Sequence, residues 1–220
     1  MNKELGIKGR SQKILQLLKQ HYPKAKMILT YSNTFELLVA VMLSAQCTDV
    51  MVNKVTPKLF ARYKTVPDYA NADIKDLETL IRSTGFYHNK AKNIKAAAMI
   101  VCEKFNQQIP KTITEMITIP GVARKTANVV LGNAYGIFEG IAVDTHVKRL
   151  SFRLGLTKHS NPDKIEQDLM RQFSKAEWFA LTYLLIEHGR QICIAKKPKC
   201  DECFLNKICP SAFQFPHFKK

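Results

Sequence analysis

The sequence predicts an all-α fold, and three observations support this prediction. Apolar residues recur at steps of three and four along nearly the whole chain, which is the spacing of one helix face. Residues typical of helix ends separate these apolar stripes, and no run of alternating apolar and polar residues indicates a strand. The chain has 220 residues and is 46% hydrophobic, so it is large and apolar enough for a packed core. We therefore expect about ten helices.

Each predicted helix is placed by its apolar stripe. In chain order the stripes are Ile14, Leu17 and Leu18; Val55, Leu59 and Phe60; Ile74, Leu77, Leu80 and Ile81; Ile94, Ala97, Val101 and Phe105; Val147, Leu150 and Leu154; and Trp178, Leu181, Leu184 and Leu185. The longest apolar run, residues 35–45, contains Glu36 and is too short to span a bilayer. We interpret it as a buried core helix and expect no membrane partner.

Residues that begin or end helices lie between the stripes. Asn71 is a predicted N-cap, and Gly85 is predicted to follow the C-terminus of the same helix. Asn161 precedes Pro162, a pair that favours a helix start. Gly189 is predicted to end the last of the helices defined by a stripe.

Basic residues outnumber acidic ones in the sequence. The chain has 34 Lys and Arg against 18 Asp and Glu, a net charge of +16. This charge predicts attraction to a polyanion, most commonly nucleic acid, although charge alone does not separate DNA from RNA. The N-terminal sequence MNKELGIKGRSQK has no apolar segment of the signal-peptide type. We therefore expect a reducing, cytoplasmic location.

Four of the six cysteines lie close together near the end of the chain. The four are Cys193, Cys200, Cys203 and Cys209, separated by six, two and five residues. Four thiolates can bind an iron–sulfur cluster or zinc, but structural zinc sites usually combine two short C-x2–4-C turns, and only one is present here. The spacing therefore favours [4Fe-4S], with zinc as the alternative. Cys47 and Cys102 are predicted core residues, and the residues after Cys209 are predicted to form a loosely held tail.

Three lysines, Lys196, Lys197 and Lys199, lie between the first two of these cysteines. A loop held rigid by a metal centre would present such cations to a phosphate backbone. The alternative is a basic loop that only contacts solvent.

A helical hairpin is predicted in the middle of the chain. Residues 112–115 read as a capping box that starts a short helix, residues 119–123 as a tight turn, and Arg124 as the start of a second helix. Such a hairpin exposes backbone N–H groups at a helix N-terminus, where they and the helix dipole suit a DNA phosphate. We expect Gly121 and Ala123, together with Arg124, to lie at this contact.

Lys125 stands in the first turn of the second hairpin helix. The positive end of the helix dipole and the neighbouring Arg124 disfavour its charge there. An uncharged amine is a nucleophile that can attack C1′ of a damaged nucleoside, expel the base and form a Schiff base, which then permits β-elimination. On the hairpin alone, an ordinary surface lysine that contacts phosphate is the alternative.

Asp144 immediately precedes the predicted helix that carries Val147. It reads as an N-cap, and a carboxylate close to Lys125 could also take its proton and stabilise the developing oxocarbenium charge. The two roles can coexist. His146 is interpreted as a helix residue with a satisfied ring rather than as an acid or base.

Most of the chain, from residue 35 to Cys209, resembles endonuclease III of the helix-hairpin-helix DNA glycosylase superfamily. The resemblance rests on residues 119–130 with Lys125, on residues 143–146 with Asp144, and on the cysteine spacing. It implies that Lys125 is the nucleophile, that Asp144 is its carboxylate partner, and that the four cysteines hold a [4Fe-4S] cluster.

The same resemblance implies two domains with DNA bound between them. A six-helix barrel domain with the hairpin is expected at residues 27–137. Residues 1–26 and 138–220 are expected to form the iron–sulfur cluster domain.

Two further segments resemble the loops of the family that enter the duplex. Gln46 would fill the hole left by the everted nucleotide, because an amide both donates and accepts hydrogen bonds. Phe86 would be the wedge of the second loop, although an aromatic residue at this position can also pack inward. The chain departs from the family at Ala123 and Thr84, where glycine and an apolar residue are common, and these changes leave the chemistry in place.

The resemblance implies a base-excision repair enzyme that removes oxidised or saturated pyrimidines from duplex DNA and cleaves the abasic site as a lyase. We expect it to act as a monomer on double-stranded DNA with a damaged base or an abasic site. One alternative is a monofunctional adenine or mismatch glycosylase, but such relatives typically lack a lysine at the position of Lys125. Another is a non-catalytic DNA-binding or redox module.

Overall fold

A computed structural model describes residues 6–218, apart from the side chain of Ile7. These described residues contain eleven α-helices and no strand, so the all-α prediction is confirmed. The helices are α1 (Ile7–His21), α2 (Thr34–Leu43), α3 (Asp49–Arg62), α4 (Val66–Ala70), α5 (Ile74–Ile81), α6 (Tyr87–Phe105), α7 (Ile113–Met116), α8 (Arg124–Tyr135), α9 (Thr145–Arg153), α10 (Pro162–Gln172) and α11 (Lys175–Gln191), with 3₁₀ helices at Arg82–Thr84 and Pro216–Phe218. Residues 1–5 of the N-terminal segment and residues 219–220 of the predicted tail lie outside the described residues.

The chain divides into two compact units. The middle unit spans Ile28–Glu139 and contains α2 to α8. The end unit combines the described parts of Met1–Met27 and Gly140–Lys220, and it contains α1 and α9 to α11.

Helix α2 is the central helix of the middle unit. Every residue from 35 to 43 is buried, and α2 packs against α8, α6 and α3, which confirms the predicted core helix. The buried Glu36 accepts a hydrogen bond of 2.6 Å from the backbone N–H of Ser32, so its carboxylate is satisfied at the helix start. Within the described part of the chain, no helix has the length and apolar character needed to cross a membrane.

The core of the end unit joins residues from both ends of the chain. Its buried members include Ile14 and Leu18 of α1, Leu150 of α9, and Leu205, which follows the cysteine pair. The ring of His21 stacks on Phe204 with centroids 3.6 Å apart. Helix α10 begins as predicted, because Asn161 accepts hydrogen bonds from two first-turn amides and Pro162 is its first residue.

One predicted helix start is wrong. Asp73, not Asn71, is the N-cap of α5, and its side chain accepts from the N–H groups of Lys75 and Asp76. Asn71 instead donates its side-chain amide to the carbonyl of Pro67 and closes the short helix α4. Asn71 was assigned to the wrong helix end because α4, with five residues, is too short to show an apolar stripe.

One predicted helix end is also wrong. Gly189 lies inside α11, which continues to Gln191. A Cβ atom at Gly189 would come within 2.7 Å of His146 Nδ1 and 3.0 Å of Arg149 Nη2 on α9. The glycine therefore permits close packing of α9 and α11 rather than ending the helix.

The predicted loose tail is packed in its described part. The guanidinium carbon of Arg153 lies 4.6 Å from the ring centroid of Phe215. His217 Nε2 donates a hydrogen bond of 3.1 Å to the carbonyl of Pro198. Stacking and hydrogen bonding therefore hold residues 210–218 against the cysteine loop, residues 193–209. These contacts could not be predicted from the position of the tail at the end of the chain.

Candidate active site and cluster loop

The predicted hairpin is present in the middle unit, between α7 and α8. Gly121 forms its turn with φ of +78°. A Cβ atom at this position would come within 2.8 Å of Met42 Cε and 2.9 Å of Asn93 Cβ. Glycine is thus required by the backbone conformation and by the close approach of α2 and α6.

The N-terminus of α8 follows this turn directly. Its N-cap, Ala123, has φ of −92°, an extended conformation that alanine adopts without strain. No side chain caps the helix, and Gly121, Ala123 and Arg124, which are predicted to contact DNA, are exposed. This is the arrangement of backbone amides and helix dipole that binds a phosphate.

Lys125 is the second residue of α8 and is partly exposed. The residues from Ala127 to Gly132 are buried, so packing fixes the helix that carries Lys125. Lys125 therefore stands partly exposed on the fixed first turn of α8.

Asp144 is the N-cap of α9 in the end unit, as predicted. Its Oδ1 accepts a hydrogen bond of 2.8 Å from the backbone N–H of Val147. Oδ2 has no hydrogen-bonding partner among residues 6–218, and the side chain is partly exposed. The cap holds the carboxylate in one orientation and leaves one oxygen for a substrate or a proton.

His146 has the satisfied ring that the sequence predicts. Its Nδ1 lies 3.2 Å from Arg149 Nη2. The same guanidinium group donates to the carbonyls of Gly189 and Cys193. His146 is thus part of the packing between α9 and α11.

Two exposed loops of the middle unit carry the residues predicted to enter DNA. Gln46 has φ of +51° and is exposed. Phe86 has φ of +48° and its side chain is 63% exposed, which excludes inward packing. Left-handed conformations of non-glycine residues are uncommon and concentrate at functional sites.

Sequence reasoning missed Lys90, a buried lysine that contacts the helical residues from which both loops begin. Its Nζ donates hydrogen bonds of 2.8 Å to the carbonyls of Leu43 and Thr84. The signal was available, because Lys90 stands four residues before Ile94, on the buried face of α6. A charged residue on an apolar stripe needs a specific partner.

The four clustered cysteines surround one pocket in the end unit. They line it together with Arg153 and His188. Burial raises the pKa of Cys203 and of Cys209 to about 11, so thiolates at these positions need positive charge beside them, which a metal cluster supplies. Four cysteines that line one pocket provide the ligand set of a [4Fe-4S] cluster.

Side-chain nitrogen atoms face two of these sulfur atoms, and sequence reasoning did not find them. Arg153 Nη1 lies 3.4 Å from Cys193 Sγ, and His188 Nε2 lies 3.5 Å from Cys203 Sγ. Donors to the sulfur atoms are a common second layer around such clusters. Cys47 and Cys102, predicted as core residues, are only partly buried.

The three loop lysines are all exposed. Lys199 forms an ion pair of 3.6 Å with Glu202. Lys196 and Lys197 form no ion pair in the described part of the chain, so their charges are the more available to a phosphate.

Comparison with known proteins gives two family matches, one over the central residues of the chain and one over the cysteine loop. Residues 39–175 match the HhH-GPD superfamily base excision DNA repair proteins. Residues 193–209 match the iron-sulfur binding domain of endonuclease III.

Individual relatives match over nearly the full length. Endonuclease III from Synechocystis is 51% identical, over 96% of this chain and 97% of that protein. The solved structure of a non-covalent endonuclease III–DNA complex superposes with a TM-score of 0.91 and 41% identity, over 94% of this chain and 97% of the other. The structure of a trapped endonuclease III–DNA covalent intermediate superposes with a TM-score of 0.89 and 42% sequence identity, over 93% of this chain and 97% of the other.

The fold, the hairpin and the cysteine loop thus define a helix-hairpin-helix base-excision DNA repair protein with an iron–sulfur domain. Within this class the chain belongs to the endonuclease III family. It is a bifunctional DNA glycosylase and abasic-site lyase for damaged pyrimidines, and its cofactor is a [4Fe-4S] cluster.

Proposed function

We propose that Lys125 is the nucleophile and Asp144 its carboxylate partner in the removal of oxidised or saturated pyrimidines from duplex DNA. The observation that carries this proposal is the position of Lys125 in the first turn of α8. The residue is partly exposed there, and it directly follows the hairpin turn at a helix N-terminus that no side chain caps. A phosphate bound at that helix end would bring the neighbouring sugar within reach of the amine.

Each residue has a defined part in the proposed reaction. The Lys125 nitrogen bonds to C1′ while the bond from C1′ to the base breaks, and the base leaves with the electron pair and takes up a proton. The free oxygen of Asp144 accepts the proton that the amine loses, and its charge stabilises the oxocarbenium character of the sugar. The C1′–O4′ bond then breaks, O4′ takes up a proton, and a Schiff base forms between the nitrogen and C1′. When a base removes a C2′ proton, a double bond forms between C2′ and C3′, the C3′–O bond breaks, and the 3′ phosphate leaves with the electron pair.

Other residues are proposed to hold the DNA. The amides around Gly121, Ala123 and Arg124 bind a phosphate, which positions the duplex without reading its sequence. Gln46 fills the space of the everted nucleotide and Phe86 stacks as a wedge. The exposed lysines Lys196, Lys197 and Lys199 add contacts to the phosphate backbone.

The four cysteines, Cys193, Cys200, Cys203 and Cys209, would hold the [4Fe-4S] cluster. When bound, the cluster supplies charge compensation for four buried or partly buried thiolates and ties the loop together. We assign the predicted six-helix barrel (27–137) to the middle unit and the predicted cluster domain (1–26 and 138–220) to the end unit. We infer a monomer that acts on chromosomal DNA at the bacterial nucleoid, without a membrane partner.

Borohydride trapping tests the proposed nucleophile. Borohydride reduces a Schiff base to a stable amine, so the wild-type protein should form a covalent complex with DNA that contains an abasic site. Lys125→Ala should form none, whereas Lys104→Ala, an exposed lysine of α6, should trap as the wild type does. Undiminished trapping by Lys125→Ala would assign the chemistry to another amine, and no trapping by the wild type would favour a water nucleophile.

A further inference from the structure

Lys90 is a buried lysine without a carboxylate partner. Only 7% of its surface is exposed, and no ion pair involves it among the described residues. Burial lowers the pKa of Lys90, and the neighbouring Cys47 opposes this effect. A buried ammonium group is costly unless hydrogen bonds compensate it, so its partners indicate why the residue is there.

Both partners of Lys90 are the final carbonyls of helical segments. Leu43 is the last residue of α2, and Thr84 is the last residue of the 3₁₀ helix Arg82–Thr84. The amide that would normally bond to Leu43 O belongs to Cys47, and it bonds to Ser44 O instead. Terminal carbonyls carry partial negative charge, so an ammonium group is a strong partner for them.

The two carbonyls mark the points where the two exposed loops begin. Gln46 follows Leu43 by three residues, and Phe86 follows Thr84 by two. Both residues have left-handed backbones, with φ of +51° and +48°. One ammonium group, at 2.8 Å from each carbonyl, therefore joins the base of one loop to the base of the other.

We propose that Lys90 is a positioning residue that fixes the spacing between the Gln46 loop and the Phe86 loop. This inference rests on the proposed entry of both loops into DNA. A pair of side chains that fills a duplex from one face must keep a set separation, and the Lys90 ammonium group bonds to the residues that precede both loops. An apolar residue at position 90 would fill the core equally well but would leave two carbonyls unpaired and the loops uncoupled.

Lys90→Met tests the proposal, with Lys95→Met as its matched control. Lys95 lies on the same helix and also donates to a backbone carbonyl, that of Ala72 at 2.7 Å, which is not in either loop. Each variant is assayed under single-turnover conditions with saturating enzyme on two substrates: a lesion in duplex DNA, and a single-stranded abasic oligonucleotide that has no opposite base. Borohydride trapping on the single strand counts active molecules, so poor folding does not affect the rates.

We expect Lys90→Met to slow excision from the duplex by about tenfold or more, because small misplacement of positioning groups is costly. Its cleavage of the single strand should stay within about twofold of wild type, and Lys95→Met should change neither rate. Fluorescence of 2-aminopurine opposite the lesion should report weaker loop insertion in Lys90→Met only. Equal slowing on both substrates, or no slowing on the duplex, would overturn the proposal.

Two further variants separate this inference from the function on which it rests. If Gln46→Ala and Phe86→Ala leave duplex excision unchanged, the proposed role of the loops fails. If they slow it and Lys90→Met does not, only the role of Lys90 fails. If Lys90→Met does not fold, Lys90→Gln replaces it. Lys90→Gln is expected to slow excision from the duplex more than cleavage of the single strand, by a smaller factor than Lys90→Met, and equal slowing on the two substrates would overturn the proposal.

Discussion

At the level of single residues, Asp144 combines a structural and a proposed chemical role in one carboxylate. Its Oδ1 caps α9 through Val147 N–H, and Oδ2 is available. Asparagine caps helices as well as aspartate does, so Asp144→Asn should leave the melting temperature nearly unchanged. The loss of charge should lower single-turnover base release by about 10²- to 10⁴-fold while DNA binding persists. Unchanged base release would reduce Asp144 to a helix cap.

Gly121 can be tested against a second glycine with the same backbone conformation. Gly136 in the same unit has φ of +65° and open space around its missing Cβ atom, whereas Gly121 faces Met42 Cε at 2.8 Å. We expect Gly136→Ala to lower the free energy of unfolding by about 1–2 kcal/mol, for the left-handed conformation alone. Gly121→Ala should cost about 1–3 kcal/mol more, because Met42 and Asn93 must also move. The free energies of unfolding are measured with urea. Equal losses in the two variants would show that the contacts of Gly121 with Met42 and Asn93 do not affect stability.

At the level of elements, the cysteine loop carries one prediction about DNA affinity. Lys196→Ala should weaken binding similarly for different DNA sequences and reduce the salt slope of log Kd by about one unit. Lys199→Ala should change the slope less, because Lys199 is paired with Glu202. Binding measured at several salt concentrations checks both, and an effect confined to one sequence context would contradict a phosphate contact.

The tail after Cys209 is expected to protect the cluster. Phe215 lines the cysteine pocket and lies beneath Arg153, so Phe215→Ala should open a route for solvent and oxidant. Loss of visible cluster absorbance in aerated buffer should become severalfold faster. Phe213→Ala, a change in an exposed aromatic residue outside the pocket lining, is the control, and equal rates in both variants would show that the ring does not shield the cluster.

Several element boundaries were predictable because their signals are local. Asn161 and Asp144 cap helices through amides two or three residues away, and such bonds depend on little beyond the sequence itself. Gly189 was not predictable, because its reason is the approach of His146 from another helix. The burial of Lys90 could have been predicted from its position four residues before Ile94, but its two carbonyl partners, 47 and 6 residues away, could not.

At the level of the whole molecule, the two ends of the chain belong to one compact unit, and the residues between them in sequence form the other. The contact between His21 and Phe204, which joins α1 to the cysteine loop, cannot be read from helical periodicity. The residue types of the candidate site could be predicted, because the hairpin, the aspartate and the cysteine spacing are each contiguous in sequence. The bridge between the Gln46 and Phe86 loops could not, because it depends on tertiary packing.

The central claim is that one particular amine, that of Lys125, becomes bonded to a sugar carbon. Peptide mapping by mass spectrometry of the borohydride-reduced complex with abasic duplex DNA tests it most directly, since it identifies the modified residue in the unaltered protein. We predict that the sugar remnant is found on the peptide that contains Lys125. A remnant on any other lysine or on the N-terminal amine would contradict the account.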